Sequence, residues 1–241
     1  IEEKQLVEIL ERILKLDPSN KETFLRLGRI YMDQNDKIRA LELFQQMVEK
    51  FPEYYVAWYY LGEIQFIDKK YRAAETAFLK SIELEPELLE PRFQLVNVYN
   101  ALKIRDRYTR IKALYNQILE LDPDNHRALL GMALTLYKSG SKKKAEKRFA
   151  TLAQDIDKDT TLLMAAFDEY LSGENDKDAL IVFSQMLKAA PDNSTLIFFT
   201  AMVHENLKML DKAIALYGKV APNHPQYKKA GLSMALIYRE K

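Results

Sequence analysis

A 34-residue interval is written into this chain. Phe24, Leu27, Gly28, Ala40, Phe44 and Pro52 return as Trp58, Leu61, Gly62, Ala74, Phe78 and Pro86, each 34 positions later. A fixed period of that size belongs to arrays of stacked supersecondary units. In such arrays a unit buries its apolar face against its neighbours rather than inside one closed core. The element inside the period is helical. Seven Gly and eight Pro are few for 241 residues, and Val/Ile/Thr runs that alternate with polar residues are missing, so long helices joined by tight turns are predicted. With 48% apolar and 29% charged residues, the chain has material for a long core.

In chain order, the sequence enters in mid-unit. Leu6, Ile9, Leu10, Ile13, Leu14 and Leu16 mark one amphipathic helix ending at Asp17-Pro18, so residues 1–20 form a half unit. Residues 21–54 and 55–88 are full units. Each has a first helix, a polar turn at Asn35-Asp36 or Lys69-Lys70, and a second helix closed by Pro52 or Pro86. Proline ends a helix there because it lacks an N–H and restricts the residue before it. The third unit, 89–125, breaks step, since Pro123 follows Pro86 by 37 residues. The three extra residues are expected near Lys103 to Arg110, giving a longer turn and an altered helix crossing where Ile111 replaces Ala40 and Ala74. Units 126–159, 160–193 and 194–227 return to the period of 34, with Ala145, Ala179 and Ala213 followed by Phe149, Phe183 and Tyr217. Gly140 and Gly173 fall at turns, where freedom to adopt positive φ is useful. Pro222 and Pro225 should shorten the second helix of the sixth unit, and residues 228–241 make a closing half unit. Open ends predict exposed apolar faces, to be met by more chain, by a partner or by self-association.

An aromatic, Leu-Gly, an Ala, an aromatic and a closing Pro at these positions resemble the tetratricopeptide repeat. The resemblance covers nearly the whole chain. It implies a single all-α array over 1–241, a right-handed α-solenoid of antiparallel helix pairs that serves as a protein–protein interaction scaffold. It also implies that the first helices line a concave groove for a peptide or helix of a partner. Carried over unit by unit, the groove residues are Arg29, then Tyr59, Tyr60 and Glu63, then Phe93, Gln94 and Asn97, then Arg127. Further offsets give Leu25, Arg26, Met32, Phe66, Ile67, Asn100, Leu130, Leu134 and Tyr137, and later Met164, Asp168, Leu171, Phe198, Phe199, Met202 and Glu205. Aromatics in such a groove bury area and amides pair a ligand backbone, while Phe66, Phe198 and Phe199 fit equally well between helices. The family's clamp for acidic chaperone tails, a Lys and an Asn, an Asn, then a Lys and an Arg, is not matched. Its slots hold Leu25 and Arg29, Tyr60, then Glu90 and Gln94, and registers starting one or two units later fail too.

The remaining chemistry is sparse. A formal net charge of +1 argues against general binding of nucleic acid or other polyanions. Without Cys there is neither a disulfide nor a thiolate metal site. His126, His204 and His224 are far apart in the repeat register, and His204 fills the slot of Tyr31, Tyr99, Tyr170 and Tyr238, which points to packing. Asp155, Asp157 and Asp159 alternate like a calcium loop but lack its Gly and closing Glu, so helix capping is the reading. No nucleophile, acid–base pair or phosphate-cradling loop emerges, and the expectation is a non-enzymatic protein with no cofactor and no metal. No apolar run approaches the roughly 18 residues of a membrane-crossing helix. Cytoplasm and periplasm are equally compatible with the composition.

One edge of the array carries a basic rim. Lys69, Lys70 and Arg72 lead to Lys103, Arg105, Arg107 and Arg110, then to Lys142, Lys143 and Lys144, with Lys147 and Arg148 beyond. Glu83, Glu85, Glu87, Asp122, Asp124, Asp155 and Asp157 gather at the opposite edge. A second functional class follows, an assembly platform that meets an anionic membrane surface or another polyanion through the rim, or associates end to end. Solvation of helix ends, with cations near C-termini and acids near N-termini, accounts for the same pattern.

Overall fold

The computed structural model describes residues 3–170 and 175–240, and every regular element among them is an α-helix. Leu171 and Gly173 lie outside the described residues. The chain divides into two compact units, Ile1–Leu114 and Tyr115–Lys241.

The first unit contains α1 (Glu3–Leu16), α2 (Lys21–Asp33), α3 (Lys37–Lys50), α4 (Tyr55–Ile67), α5 (Tyr71–Leu84), α6 (Glu90–Leu102) and the start of α7 (Arg107–Leu121). From α1 to α6 each helix packs on the next, and α4 also touches α6. The repeated residues explain why. A Cβ added at Gly28 would lie 2.4 Å from Phe44 Cζ, and one added at Gly62 would lie 2.7 Å from the Phe78 ring. The glycine of the first helix is therefore the seat of the aromatic of the second, beside the fully buried Ala40 and Ala74. The slot of Phe24 carries a further tie. Trp58 Nε1 donates to the Pro52 carbonyl at 2.7 Å, and in the next repeat Arg92 Nη2 donates to the Pro86 carbonyl at 2.7 Å while Nη1 donates to the Leu88 carbonyl. Each of these side chains secures its first helix to the proline turn before it.

The second unit takes the rest of α7, then α8 (His126–Lys138), α9 (Lys142–Asp155), α10 (Thr160–Tyr170), α11 (Asp176–Ala189), α12 (Ser194–Asn206), α13 (Leu210–Tyr217) and α14 (Tyr227–Glu240). Here α8 packs on α9 and α10, α9 on α11, α11 on α12, and α12 on α13, which packs on α14. Asn125 and Asn193 cap α8 and α12 by accepting from Ala128 N and Leu196 N, as Asn20 caps α2 by accepting from Thr23 N. Asp159 does the same for α10, accepting from Thr161 N at 2.9 Å and Leu162 N at 3.2 Å. The prolines leave α13 only eight residues long.

The turn between paired helices has one recurring feature. Asn35, Lys69, Lys103, Gly140 and Lys208 all have positive φ, between 50° and 85°. Each is the fifteenth residue of its repeat. The off-period third repeat carries its surplus in the expected stretch, after Lys103. Lys103 keeps the register of Asn35 and Lys69, but α7 begins four residues after it where α3, α5 and α9 begin two residues after Asn35, Lys69 and Gly140, and α7 has fifteen residues where those three have fourteen. All three extra residues therefore lie between Lys103 and Ile111, which are eight positions apart where Asn35 and Ala40, or Lys69 and Ala74, are five apart. Tyr115, the counterpart of Phe44 and Phe78, lies over Gly131 of α8, where an added Cβ would be 2.3 Å from its ring.

Apolar side chains are exposed on α1, at Ile9 and Leu16, and on α14, at Leu232, Leu236 and Tyr238. Among the described residues no helix is long and apolar enough to cross a membrane.

Candidate functional site: an aromatic wall and a polar chain on α2, α4 and α6

In the first unit, α1, α2 and α4 enclose a cleft of about 490 Å³ whose lining includes Leu25, Arg26 and Arg29 from α2 and Tyr60 from α4. Tyr60 is not a free arm. Its ring lies flat on the buried Phe44, with centroids 5.3 Å apart and planes 9° from parallel. Tyr59 meets it edge-on at 5.3 Å and reaches Phe78 at 6.0 Å. The half-buried pair forms a wall anchored on the same aromatics that close the repeats, so its orientation is set by the core.

A polar chain starts from that wall. Tyr59 and Glu63 are one helical turn apart on α4, and Glu90, Gln94 and Asn97 share one stripe of α6. Asn97 Nδ2 donates to Gln94 Oε1 at 3.0 Å. Gln94 lies close enough to the Tyr59 hydroxyl to favour its ionised form, and that hydroxyl in turn favours the charged form of Glu63. Burial, with the nearby Glu63 charge added, pushes the Tyr59 phenol up to about 12. Burial first, and then the like charge of Glu90, push Glu63 up to about 7, against the opposing effect of the Tyr59 hydrogen bond.

Of the sequence-derived groove residues, the structure brings Tyr59, Tyr60, Glu63, Gln94 and Asn97 together and sets Arg29 at the cleft beside Tyr60. Phe93 is a correction. It is 4% exposed and belongs to the core, because Pro91, Arg92, Leu95 and Val96 of α6 are buried as well and the helix has little free surface. In the second unit, Arg127 pairs with Glu169 at 2.8 Å rather than standing ready for a ligand. Leu130, Leu134, Phe198 and Phe199 are buried there too, with Phe198 and Phe199 edge-on to each other at 5.4 Å. The sequence placed Glu90 in a slot of the clamp for acidic tails but not among the carried-over groove residues. Its position four residues before Gln94 on the same helix stripe was the available signal.

The histidines are absorbed into structure. His126 Nε2 lies 2.9 Å from Asp159, buried His204 sets Nδ1 2.9 Å from the Thr200 carbonyl, and His224 Nε2 lies 3.1 Å from Thr195 Oγ1. The residues expected to form a basic rim are largely engaged. Arg72 and Arg110 both bind Glu75, at 2.9 and 3.2 Å, and Arg110 also holds Asp106 at 2.7 Å. Lys70 pairs with Asp68 at 2.7 Å, Arg107 donates to the Tyr108 hydroxyl at 2.9 Å, and Lys142 Nζ lies 3.1 Å from the Tyr137 ring centre. Lys103 serves the positive-φ turn, while Arg105, Lys143 and Lys144 are exposed. Among the described residues no group of His, Asp or Glu could hold a metal ion.

Models of the tetratricopeptide repeat match residues 25–87 and 104–166. This chain belongs to the tetratricopeptide repeat family. Curated relatives of this tetratricopeptide repeat protein include the human Protein O-mannosyl-transferase TMTC3, 22% identical over 223 residues, covering 89% of this chain and 24% of that protein. The Drosophila melanogaster BBSome complex member BBS4 homolog is 27% identical over 202 residues, covering 78% of this chain and 40% of that protein. The chain therefore spans less than half the length of either relative. Among solved structures, MamA is 26% identical with a TM-score of 0.54 over 59% of this chain and 81% of that one. A tetratricopeptide repeat protein from Parabacteroides merdae is 17% identical with a TM-score of 0.59, over 96% of this chain and 91% of that one. YrrB, described as a tetratricopeptide repeat protein with an unusual peptide-binding site, is 14% identical with a TM-score of 0.50 over 98% of this chain and all of that one. Tetratricopeptide repeats build helical solenoids that mediate protein–protein interactions and are generally non-catalytic.

Proposed function

We propose that the surface made by α2, α4 and α6 captures a segment of a partner protein, and that the chain is a non-enzymatic interaction scaffold needing neither metal nor cofactor. The observation that carries this is the Tyr59–Tyr60 wall, held between the arginine-bearing cleft of α2 and the hydroxyl–amide chain that ends at Asn97. Rigid aromatics supply contact area at small entropic cost, and adjacent amides pair an extended backbone. The peptide-binding description of YrrB, which shares the fold, supports the reading. The basic rim is the weaker surface, since Glu75, Asp106, Asp68 and Tyr137 already engage Arg110, Arg72, Lys70 and Lys142.

The test is to pan a random displayed peptide library on the intact chain and measure the affinity of the enriched peptides. Arg29→Glu combined with Gln94→Ala should weaken binding at least tenfold while leaving the helical circular dichroism and melting temperature unchanged. Lys143→Glu with Lys144→Glu should leave binding as it was. Peptides that ignore the first pair of substitutions would remove the proposal.

A further inference from the structure

We infer that His126 carries a proton on both ring nitrogens and, in that charged form, clasps the start of α8 to the start of α10, a clasp that opens as the pH rises.

Three short contacts close a ring of groups in the second unit. His126 Nε2 lies 2.9 Å from Asp159 Oδ2, His126 Nδ1 lies 2.9 Å from Thr161 Oγ1, and Thr161 Oγ1 lies 2.6 Å from Asp159 Oδ1. Each contact needs one hydrogen between its two atoms. Asp159 has none to give, because its carboxyl is held below its usual value, first by the Thr161 hydroxyl and then by the Leu162 and Thr161 amides and the charge of His126. The Thr161 hydroxyl proton therefore points at Asp159, across the shortest of the three distances. With that proton used, the hydroxyl accepts from Nδ1, and Nε2 donates to the second carboxylate oxygen. A neutral imidazole brings one N–H and would leave two lone pairs facing each other at one of the contacts. The charged ring satisfies all three and makes the bond to Asp159 charge-assisted.

The other two histidines have no such requirement. His224 Nδ1 accepts from the Gln226 N–H at 3.2 Å, so its ring proton sits on Nε2, 3.1 Å from Thr195 Oγ1. His204 meets the Thr200 carbonyl through Nδ1, which asks for one proton. Thr161 and Thr195 stand 34 residues apart, so one repeat slot receives an imidazole twice, once charged and once neutral.

The charged groups around His126 come from several elements. A cleft of about 570 Å³ that His126 and Asp159 help to line also takes Asp124 from the loop before α8, Arg148 and Asp155 from α9, and Lys158 from the turn before α10. Lys158 lies 3.5 Å from Asp155. Just past α7, Asp122 accepts from Asn125 Nδ2. Further along, Arg127 is engaged by Glu169 of α10 and Lys138 by Asp178 of α11, while Asp168 follows Thr161 by about two turns. Asp159 is thus the anion in contact with the ring. Loss of one ring proton removes the hydrogen from one of the two contacts, and the ring then holds Asp159 or Thr161 but not both. An imidazole changes charge between about pH 5 and 8, a range over which Asp159 stays ionised, so the clasp is closed on the acid side and open on the alkaline side. Asp159 also caps α10 through Thr161 N and Leu162 N, which couples the clasp to the first turn of that helix.

The experiment is hydrogen exchange on the intact chain from pH 5.5 to pH 8.5, corrected for intrinsic rates. Protection of residues 161–167, relative to α12, should fall at least threefold across that range. The doubly protonated fraction of the His126 ring, followed by its ¹⁵N shifts on the same samples, should fall in step. His126→Gln and Thr161→Val should each remove the pH dependence of protection. Protection that persists while the ring carries a single proton would overturn the inference, as would a pH dependence that survives both substitutions. If either variant fails to fold, the two wild-type measurements decide the matter by themselves, since a protected α10 beside a neutral ring is incompatible with the clasp.

Discussion

Glu63 is ionised in water at neutral pH but is held here where its charged form is disfavoured, with its carboxyl raised from 4.5 to about 7. The consequence for stability has a definite sign. The folded chain binds more protons than the unfolded chain between those values, so the contribution is fully present below about pH 4.5 and is lost as pH rises through 7. Urea unfolding at pH 5 and pH 8 should show the wild type losing about 1–2 kcal/mol relative to Glu63→Gln, after allowance for the water that still reaches the group. Gly62 makes a second residue-level prediction. Gly62→Ala would drive a methyl group into the closed ring of Phe78, and should destabilise the chain by about 1–3 kcal/mol in a thermal or denaturant melt. At this scale the repeat offsets led to Tyr59, Tyr60, Glu63, Gln94 and Asn97. They misplaced Phe93, because an offset says where a helix position points and not whether a neighbouring side chain covers it.

The elements end where local chemistry ends them. The fifteenth residue of each described repeat turn sits in the left-handed region, where a Cβ is unfavourable, yet Lys occupies it at positions 69, 103 and 208. Replacing Lys208 by Gly should therefore stabilise the chain by about 0.5–1 kcal/mol, raising the melting temperature, whereas Gly140→Ala should lower it by a similar amount. Removing a cap acts in the opposite sense to relieving strain. Asn193→Ala strips the acceptor from Leu196 N and should cost about 1 kcal/mol in the same assay. The helix pairs, the proline ends and the short α13 were legible from spacing alone. So was the place of the three surplus residues, between Lys103 and Ile111.

Across the whole chain, contacts run between helices near in sequence, as in α2 on α3, α3 on α4, and α11 on α9 and α12. Stability in such an array is a sum of local terms rather than one global quantity. Phe183 is fully buried on α11, with its ring 5.9 Å from Phe199. Phe183→Ala should remove about 3–5 kcal/mol of local stability. Hydrogen exchange followed by mass spectrometry should show protection falling in α11 and α12 and unchanged in α2 and α3. A uniform loss over all helices would mean that the chain unfolds as one cooperative body. The 34-residue period, with its glycines, alanines and prolines, was enough by itself to specify paired helices and their family, because it repeats one packing problem and one solution. Only the tertiary structure decided which polar residues meet. Glu63 and Glu90 lie on different helices, and Arg110 finds Glu75 across 35 positions, so burial and pairing there come from the approach of helices that no period along the chain encodes.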